Sequence, residues 1–498
     1  MPSLIAEKRP FAGSCGGRRR IVLAGLVLLA VGAYAAGTSA GPASGAPSQP
    51  NFIVLMSDDQ TNGEMSVMKQ TNAEIVRRGV TFDRFITSYP LCCPSRTTFL
   101  TGEYSHNHGV IGNGTPFGGY PTLDKANTLA SWLQGAGYHT IQIGKFLNQY
   151  PDRSNRTEVP PGWDEWYACL DSSENHYYDY TLNENGVLTH YGKSAAEYKT
   201  DVYGNKAVEA IRQRAALGPA GEPFFMFAAF TAPHLPAVPA KRDQRKFRRH
   251  GLPKSGSFNE ADVSDKPRFI RKLPRFSSGT IARIKGNYRR RLETLLSVDR
   301  AVGRIIAELR ADGMLGNTYV VYLSDNGFFF GQHRLAKGKY LPYEPSVRTP
   351  TVIRGPGIPA GAHSNALVGN VDLAPTLIGL SGATPTKPVD GRSLLPYAEN
   401  PRRSSNRPIL LEANTKDDPS LGIPYTGIRT DRYKYVRYRD GEQELYDLNR
   451  DPREMSSKHN DPSYRRTKRA LAARLAALQV CAGADCREPT GPIPGPKR

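Results

Sequence analysis

The most informative stretch of the sequence is Asn51-Phe-Ile-Val-Leu-Met-Ser-Asp-Asp59, in which a short apolar run ends at two carboxylates. A run of this length and composition is typical of a strand that is buried on both faces of a parallel sheet. Three further apolar runs, which begin at His139, Phe224 and Thr318, lead into polar residues in the same way. Because ligands of open α/β sheets bind beyond the carboxyl ends of the strands, we expect these polar residues to converge on one site.

Helical patterns separate the apolar runs. Thr128 precedes a helix pattern that ends at Gly135, and apolar residues keep three-four spacing from Leu292 to Leu309. Strands that alternate with helices predict a doubly wound α/β domain. We place this large domain at residues 50–400.

The pattern changes after about residue 400. Residues 426–439 alternate between polar and apolar side chains, Asp440-Gly441 is a hairpin turn signal, and residues 443–448 supply an answering strand. A helix pattern follows, so we expect a small antiparallel β unit with one helix. The expected boundaries are residues 401–480 for this unit and residues 481–498 for a loose tail.

The chain begins with basic, then apolar, then small residues. Arg18-Arg19-Arg20 precede an uncharged stretch from Ile21 to Ala36. This order is typical of a secretory signal peptide, so residues 1–49 are interpreted as signal peptide and linker, and we expect a secreted or periplasmic protein. The apolar stretch is shorter than the roughly 20 residues that a membrane span needs. No stable membrane span is therefore expected, and an uncleaved N-terminal anchor is the alternative.

Composition and charge narrow the classes of function. The chain has 498 residues, 39% of them hydrophobic and 22% charged, which excludes a disordered, collagenous or multi-span membrane protein. The net charge is +20, and residues 241–291 hold 17 Lys and Arg against 4 Asp and Glu. This basic segment is either a docking surface for a polyanion or a solvated insertion. The expected export and the absence of a recognisable nucleic-acid module argue against nucleic acid as that polyanion.

Six cysteines occur, one of them in the leader. Five cysteines remain in the exported part. Because thiols tend to pair in an oxidising compartment, at least one of the five is expected to have a different role. The sequence leaves open whether Cys481 pairs with Cys486 and whether Cys93 pairs with Cys169.

The remaining cysteine lies in a dense motif, Pro90-Leu-Cys-Cys-Pro-Ser-Arg-Thr-Thr-Phe-Leu-Thr-Gly102. Cys92 comes shortly before Pro94, and proline favours the first position of a helix. Cys92 is therefore expected at a helix N-terminus, where backbone N–H groups, the helix dipole and Arg96 favour an anion. A buried cysteine ahead of an ordinary helix is the alternative.

This motif resembles the first signature of the type I sulfatases. Gly137-Tyr-His-Thr140 with Gly144-Lys-Phe-Leu147 is similar to their second signature, and Asp58-Asp59, Ala232-Pro-His234 and Asp325-Asn-Gly327 match further family motifs in order. The resemblance covers about residues 50–480. It implies an alkaline-phosphatase-like fold with a large, mostly parallel central sheet flanked by helices. Within the family, the chain looks most like N-acetylglucosamine-6-sulfatases and heparan 6-O-endosulfatases.

The resemblance implies a metal site. The implied ligands are Asp58, Asp59, Cys92, Asp325 and Asn326, and the implied ion is Ca²⁺, with Mg²⁺ as the alternative. Four of these residues are hard oxygen donors, which suit calcium or magnesium better than zinc. Carboxylates that only cap loops at strand ends are the competing explanation.

The resemblance also implies a modified nucleophile. In this family the signature cysteine is oxidised to formylglycine, so a formylglycine-generating enzyme is an expected partner. Cys92 stands at the family position and Cys93 at the variable one. One hydroxyl of the hydrated aldehyde attacks the ester sulfur, and the second hydroxyl then expels sulfate.

Three cations around the sulfate match family positions. Arg96, Lys145 and Lys339 are expected to stabilise the charge that grows on the leaving oxygen. Lys339 is preferred to Lys337 because of its spacing to Tyr343-Glu344.

A histidine and a substitution complete the implied site. His234 is the expected proton donor to the leaving alcohol, with Lys339 as its rival. Leu147 stands where many sulfatases have a histidine that assists sulfate elimination. His106 and His108 are candidates for positions behind the site.

These features predict a secreted, calcium-dependent sulfatase. Its expected substrate is a sulfated saccharide of the 6-O-sulfo-N-acetylglucosamine type or an aryl sulfate. A phosphodiester or phosphonate monoester hydrolase of the same superfamily and a catalytically silent glycan-binding protein are the alternatives.

Overall fold

The computed structural model describes residues 49–218, 221–253, 255–413 and 424–497. These residues belong to one compact unit, whereas the predicted signal peptide lies almost wholly outside them. None of the described helices is both long and apolar enough to cross a membrane.

Ten strands of the described chain form the central sheet. They are β1 (Asn51–Ser57), β2 (Val80–Ile86), β3 (His139–Gly144), β4 (Glu165–Cys169), β5 (Tyr180–Glu184), β6 (Val187–Tyr191), β7 (Phe224–Ala229), β8 (Thr318–Ser324), β9 (Thr351–Arg354) and β10 (Ala362–Gly369). Their order is β10-β2-β9-β8-β1-β7-β3-β4-β5-β6. The central run from β8 to β4 is parallel, and the antiparallel pairs involve β9, β5 and β6. The predicted α/β class with a mostly parallel sheet is confirmed.

The four apolar runs singled out in the sequence are neighbours at the centre of this sheet. Ser57 at the end of β1 pairs with Ser324 at the end of β8, and Gly144 at the end of β3 pairs with Ala229 of β7. Because the four strands are parallel and end level with one another, the residues that follow them meet at one edge. The predicted convergence is therefore observed.

Helices cover both faces of the sheet. The described helices are α1 (Lys69–Glu74), α2 (Cys92–Thr101), α3 (Ser105–His108), α4 (Leu129–Gly135), α5 (Lys199–Ala215), α6 (Arg268–Arg271), α7 (Ser278–Ala311), α8 (Glu344–Val347), α9 (Leu373–Ser381), α10 (Leu395–Glu399) and α11 (Arg465–Leu478). Phe52 and Val54 of β1 pack into the core that includes α2, α4 and α9. Ile53 packs into the opposite core, which includes α5 and α7. Burial on both faces explains why the first strand is an unbroken apolar run.

A second, antiparallel sheet follows the central one in the chain. Its strands are β11 (Ile409–Ala413), β12 (Tyr425–Arg429), β13 (Tyr433–Tyr438) and β14 (Gln443–Asp447), in that order. The alternating segment 426–439 forms two strands, β12 and β13, because a turn that the sequence pattern did not mark divides it. Thr430 closes the turn: its N–H donates to the carbonyl of Tyr433, and its hydroxyl accepts from the Tyr433 N–H. The predicted antiparallel unit and its helix are otherwise present.

The C-terminal residues are more tightly held than the expected loose tail. Cys481 and Cys486 form a disulfide, whereas Cys93 and Cys169 are free and buried. Beyond the disulfide, the hydroxyl of Thr467 in α11 donates to the carbonyl of Pro494. The tail thus folds back along α11.

The basic segment is not a uniform surface insertion. Its last residues form the beginning of α7, and Lys266 and Arg291 are buried. Arg245, Arg248 and Arg249 are exposed, and their side chains have no ion-pair partner within the described residues. Only such exposed cations remain available for docking a polyanion.

Candidate active site

Cys92 lies at the start of a helix, as expected. It is the first residue of α2, so Pro94 occupies the third helical position rather than the expected first one. Cys92 is 2% exposed, and its Sγ lies 3.0 Å from Nζ of Lys339 and 3.8 Å from Oδ1 of Asp58. Burial, reinforced by Asp58, raises the pKa of the Cys92 thiol to about 11. The unmodified thiol is therefore neutral at pH 7 and is not activated as a thiolate.

The neighbouring Cys93 faces elsewhere. Its N–H donates to Oδ1 of Asn113 (2.9 Å), and its Sγ donates to Oδ1 of Asn148 (3.1 Å). Burial raises the pKa of the Cys93 thiol well above its usual value. Cys93 is thus a packed thiol in the wall next to the nucleophile position.

Two strand ends bring the acidic residues together. Asp58 and Asp59 follow β1, and Asp325 and Asn326 follow β8. Oδ1 of Asp325 accepts from the N–H groups of Asp59 (3.0 Å) and Asn326 (2.8 Å), which ties the strand ends together. Nδ2 of Asn326 donates to Oδ1 of Asp59 (2.7 Å), whereas Oδ1 of Asn326 is buried and has no hydrogen-bond partner among the described residues.

These residues fit a divalent cation. Asp58, Asp59, Cys92 and His234 each offer one ligand atom, and the four atoms lie within 4.8 Å of one another. This group includes His234, which the predicted ligand set lacked, and does not include Asp325. The amide oxygen of Asn326, beside Asp59, is an additional hard donor. Because a buried carbonyl oxygen without a hydrogen-bond partner is costly, a bound cation would satisfy it. The carboxylate and amide oxygens among these donors suit Ca²⁺ or Mg²⁺.

The three predicted cations surround the same carboxylates. Nε of Arg96 lies 2.9 Å from Oδ2 of Asp325, and Nζ of Lys145 lies 2.7 Å from Oδ2 of Asp58. Lys339 hydrogen-bonds Asp59, whereas Lys337 is exposed. Burial alone would raise the pKa of Asp58, but Lys145, His234, Arg96 and Lys339 outweigh it and hold that pKa far below its usual range. We call this group the catalytic cluster: Asp58, Asp59, Cys92, Arg96, Lys145, His234, Asp325, Asn326 and Lys339.

His234 and Lys339 mark the open side of the catalytic cluster. Their side chains are 21% and 11% exposed, whereas those of Asp58, Arg96 and Lys145 are at most 1% exposed. Nε2 of His234 lies 3.7 Å from Oδ2 of Asp59, and Nδ1 lies 2.6 Å from the carbonyl oxygen of Leu235. Burial lowers the pKa of His234, although Asp58 and Asp59 oppose this. Solvent therefore reaches the cluster at these two residues.

Arg291, which the sequence analysis counted among the surface charges, lies buried beneath the cluster. Its guanidinium donates to the carbonyl oxygens of Asp59 (2.6 Å) and Pro233 (3.1 Å) and pairs with Glu64. Arg291 therefore joins the loop of Asp59 to the loop of His234. The sequence did indicate that Arg291 is buried. Arg291 follows Tyr288 by three residues and precedes Leu295 by four, so helical spacing places it on the apolar face of α7.

Glu174 is a second residue that the sequence analysis missed. Its carboxylate lies 3.7 Å from Nζ of Lys145 and accepts a hydrogen bond from Asn148. Burial raises the pKa of Glu174, although Lys145 opposes this. Nζ of Lys199 donates to the carbonyls of Ser173 (2.8 Å) and Glu174 (3.1 Å) and so holds this segment in place. No sequence pattern pointed to Glu174.

The two other candidate histidines do not reach the cluster. His106 contacts Oε2 of Glu412 (3.0 Å) and the carbonyl of Cys481 (2.9 Å), and His108 contacts the hydroxyl of Thr98 (3.1 Å). They link α3 to the C-terminal part and to α2. Leu147 is buried in the hydrophobic core.

Comparison with known proteins identifies the family. The family model described as Sulfatase matches residues 50–383, and that described as N-sulphoglucosamine sulphohydrolase, C-terminal, matches residues 331–481. The chain is 34% identical to the N-acetylglucosamine-6-sulfatase of Homo sapiens, over 89% of this chain and 86% of that protein. Over 70% of this chain it is 37% and 36% identical to the Sulf-1 homologs of Caenorhabditis elegans and Drosophila melanogaster, the latter named an extracellular sulfatase. The chain spans only 49% and 31% of the lengths of these two relatives.

A solved structure supports the same assignment. The protein BT4656, in complex with its substrate D-glucosamine-2-N,6-O-disulfate, superposes with a TM-score of 0.76 and 27% identity, over 89% of this chain and 100% of that chain. The whole catalytic cluster lies inside the matched Sulfatase model. The chain therefore belongs to the sulfatase family and is a sulfuric ester hydrolase.

Proposed function

We propose that this chain removes sulfate from the 6-position of an N-substituted glucosamine residue in a sulfated saccharide, with Cys92 converted to formylglycine. One observation supports this most strongly. Four neighbouring strand ends supply Asp58 with Asp59, Lys145, His234 and Asp325, the start of α2 supplies Cys92 and Arg96, and a loop after β8 supplies Lys339, so that all meet at a single point that is open on one side. The similarity to N-acetylglucosamine-6-sulfatases and to a protein solved with a 6-O-sulfated glucosamine supports the substrate.

Ca²⁺ is the proposed ion, with Mg²⁺ as the alternative. Asp58, Asp59, Asp325 and Asn326 would hold it beside residue 92. When bound, the metal would neutralise the carboxylates and polarise oxygen ligands. The closeness of Cys92 to Asp58 supports a role for residue 92 beside the ion.

Buried cations preorganise the sulfate site. Arg96 and Lys145 are held by carboxylates inside the protein, so they need not reorganise as negative charge develops on the leaving oxygen. Lys339 reaches the same place from the open side. The three cations would together bind the sulfate oxygens and orient the ester sulfur toward residue 92.

His234 is the proposed acid for the leaving alcohol. The carbonyl of Leu235 accepts the Nδ1 proton, which leaves Nε2 as the atom that exchanges a proton on the side of Asp59. Its partial exposure is consistent with contact to the sugar oxygen, while the nucleophile position lies deeper.

We also propose that the chain is exported. The signal-like order of residues 1–49 supports this, as does the similarity to a relative named an extracellular sulfatase.

Turnover by matured protein tests the proposal. The chain is coexpressed with a formylglycine-generating enzyme, peptide mass spectrometry determines the state of residue 92, and sulfate release is measured with 6-O-sulfo-N-acetylglucosamine. Turnover that rises with the formylglycine fraction is expected. Full activity with unmodified Cys92, or modification at Cys93 instead, would overturn the mechanism.

Substrate controls test the reaction class. The 3-O-sulfated isomer should be hydrolysed much more slowly than the 6-O-sulfated sugar. An aryl phosphonate ester should be a poorer substrate than an aryl sulfate. A preference for the phosphonate would instead favour a phosphonate monoester hydrolase.

A further inference from the structure

We propose that a cavity beside the catalytic cluster binds the sugar residue next to the sulfated one, through an anionic group that Arg153 and Arg156 hold. The cavity has a volume of about 630 Å³, within the range of small-molecule sites. This inference rests on the proposed function, since it assigns a longer substrate to the same site. We call it the side cavity; its polar lining is Thr115, Gln149, Asp152, Arg153, Arg156 and Asp171.

Two segments of the cavity wall begin at the residues that contact Cys93. Asn113 accepts a hydrogen bond from the Cys93 N–H, and Thr115 lines the cavity two residues later. Asn148 contacts the Cys93 thiol, and Gln149 lines the cavity at the next position. The wall is therefore continuous with the surroundings of the nucleophile position.

A third segment makes the same connection from the sulfate side. Glu174 lies 3.7 Å from Nζ of Lys145, and Asp171, on the same turn, lines the cavity. The cavity is thus joined to both the nucleophile side and the sulfate side of the cluster. The inference is that a sugar whose sulfate binds at Lys145 extends its neighbour along these shared segments into the side cavity.

The cavity rests on rigid supports. Tyr150 at its base is fully buried, and its hydroxyl accepts from Nε1 of Trp166 (2.5 Å) and Nδ2 of Asn183 (2.8 Å). The Thr115 N–H donates to Oε1 of Gln149 (2.8 Å), which joins two walls. A cavity whose walls are already fixed binds with little loss of conformational freedom.

The charged residues that line the side cavity differ in whether they already have hydrogen-bond partners. Oδ1 of Asp152 accepts from the Ser154 N–H (3.0 Å), and Oδ1 of Asp171 accepts from the Gln149 N–H (2.7 Å). Arg153 and Arg156 are exposed and form no ion pair or hydrogen bond with any described residue. The two guanidinium groups are therefore the available donors.

This arrangement selects a class of ligand. Guanidinium groups bind carboxylate and sulfate oxygens in a bidentate fashion, and each such contact is charge-assisted. The free oxygens of the two aspartates can accept hydroxyl groups of a sugar ring. Because two positive and two negative groups line the cavity, it suits one sugar with a single anionic group rather than a run of charges.

Kinetics on matched saccharides test the inference. The double variant R153Q/R156Q is compared with wild type on 6-O-sulfo-N-acetylglucosamine alone, joined to a uronic acid, joined to a second sulfated sugar, and joined to a neutral sugar. We expect kcat/KM to fall roughly tenfold on the anionic disaccharides, the effect of losing one charge-assisted contact. The monosaccharide and the neutral disaccharide should be unaffected. The two anionic substrates distinguish a carboxylate from a sulfate ligand.

The control is R248Q/R249Q, which removes the same charge from the exposed basic segment outside the cavity. It should leave all four substrates unchanged, and the effect of R153Q/R156Q should shrink as salt rises, because exposed charges are screened. Equal losses on all substrates, no loss on any, or the same pattern in the control would overturn the inference.

Binding separates this inference from the proposed function. Calorimetry with the Cys92→Ala variant should show tighter binding of an anionic disaccharide than of the monosaccharide, and R153Q/R156Q should abolish the difference. If matured wild type binds in this way but releases no sulfate from any of these sugars, the proposed function fails while the side cavity is supported. If the monosaccharide is hydrolysed but disaccharides bind no better, the side cavity fails alone.

Discussion

The structure contains two clusters of largely buried charged residues, which differ in how completely their members are paired. The first is the catalytic cluster, which includes Lys339. The second begins at Glu344, and we call it the C-terminal ion cluster: Glu344, Arg429, Lys434 and Glu454. In it, Glu344 lies 3.0 Å from Nε of Arg429 and 2.9 Å from Nζ of Lys434, and Lys434 lies 2.6 Å from Glu454. Two negative and two positive charges satisfy one another.

The catalytic cluster balances three carboxylates with three cations, but its hydrogen bonding is incomplete. Oδ1 of Asn326 has no partner among the described residues, and His234 and Lys339 reach the solvent. Buried polar groups without partners are costly, so they persist where a ligand completes them. Burial of charge therefore does not distinguish an active site from a structural ion cluster, whereas incomplete pairing with an opening does.

The largest effect should come from the nucleophile position. Cys92→Ser should lower kcat on an aryl sulfate by about 10³ or more, because serine cannot be converted to the proposed aldehyde by the same oxidation. Cys93→Ser keeps a hydrogen-bonding group toward Asn148 and should stay within about tenfold of wild type. Steady-state kinetics with mass spectrometry of residue 92 measure both. Comparable losses in both variants would remove the distinction between the two cysteines.

Metal binding should depend on the catalytic cluster alone. Asp325→Ala removes the carboxylate that joins the two strand ends, so it should lower calcium content after dialysis against a chelator and reduce kcat/KM about 100-fold. Glu344→Gln should leave metal content unchanged, because Glu344 belongs to the other cluster. Elemental analysis of both variants measures this. Normal metal content and activity in Asp325→Ala would contradict the assignment.

Arg291 tests whether a fully paired buried charge can still serve the site. Arg291→Gln should reduce kcat by about 10-fold to 100-fold without abolishing metal binding, because the loops of Asp59 and His234 lose their shared donor. Arg290→Gln is the matched control, since Arg290 is exposed and, among the residues that the structure describes, its side chain hydrogen-bonds only Asn287. Arg291→Lys should recover part of the activity. If Arg291→Gln leaves both kcat and the pH–rate profile unchanged, Arg291 contributes to packing and not to the positioning of the site.

The strand ends of the catalytic cluster could be predicted because each follows an apolar run of the right length. Parallel strands deliver their following residues to one edge, so Asp58, Lys145, His234 and Asp325 were placed together by sequence pattern alone. Glu174 could not be predicted, because it enters the site from a loop with no periodic signal. The division of residues 426–439 was missed because alternation does not reveal where a turn interrupts it.

The buried arginine was missed for a different reason. Arg291 was counted with Arg245 and Arg248 because composition treats all arginines alike. Its helical spacing places Arg291 on the same face as Tyr288 and Leu295. That local pattern indicates a buried position, which a count of charges over the segment does not show.

Breaking the C-terminal ion cluster should change stability and not chemistry. Burial alone would raise the pKa of Glu344, but Arg429 and Lys434 outweigh it and hold the pKa well below its usual range. Glu344→Gln leaves Arg429 and Lys434 short of an anion, so unfolding should cost about 3 kcal/mol less. Glu344 contributes its stability above its ordinary pKa and loses it as pH falls, so the variant and wild type should converge in acid. Denaturant unfolding at several pH values measures this, and an unchanged midpoint at pH 7 would contradict it.

The smallest effect concerns a partly exposed pair that joins α3 to the C-terminal sheet. Burial opposes protonation of His106, but the hydrogen bond and charge of Glu412 prevail and raise the pKa of His106 to about 9. A raised pKa means that the protonated pair adds stability fully below the ordinary pKa of about 6.5 and loses it as pH rises through about 9. Wild type should therefore lose Tm across this window, by only about 1–2 °C because the pair is partly exposed to solvent. His106→Gln lacks the protonated pair and should show no such loss. His363→Gln removes a more exposed histidine beside Asp83 and should retain the wild-type trend. Identical pH dependence in wild type and His106→Gln would show that pairing with Glu412 adds nothing to stability.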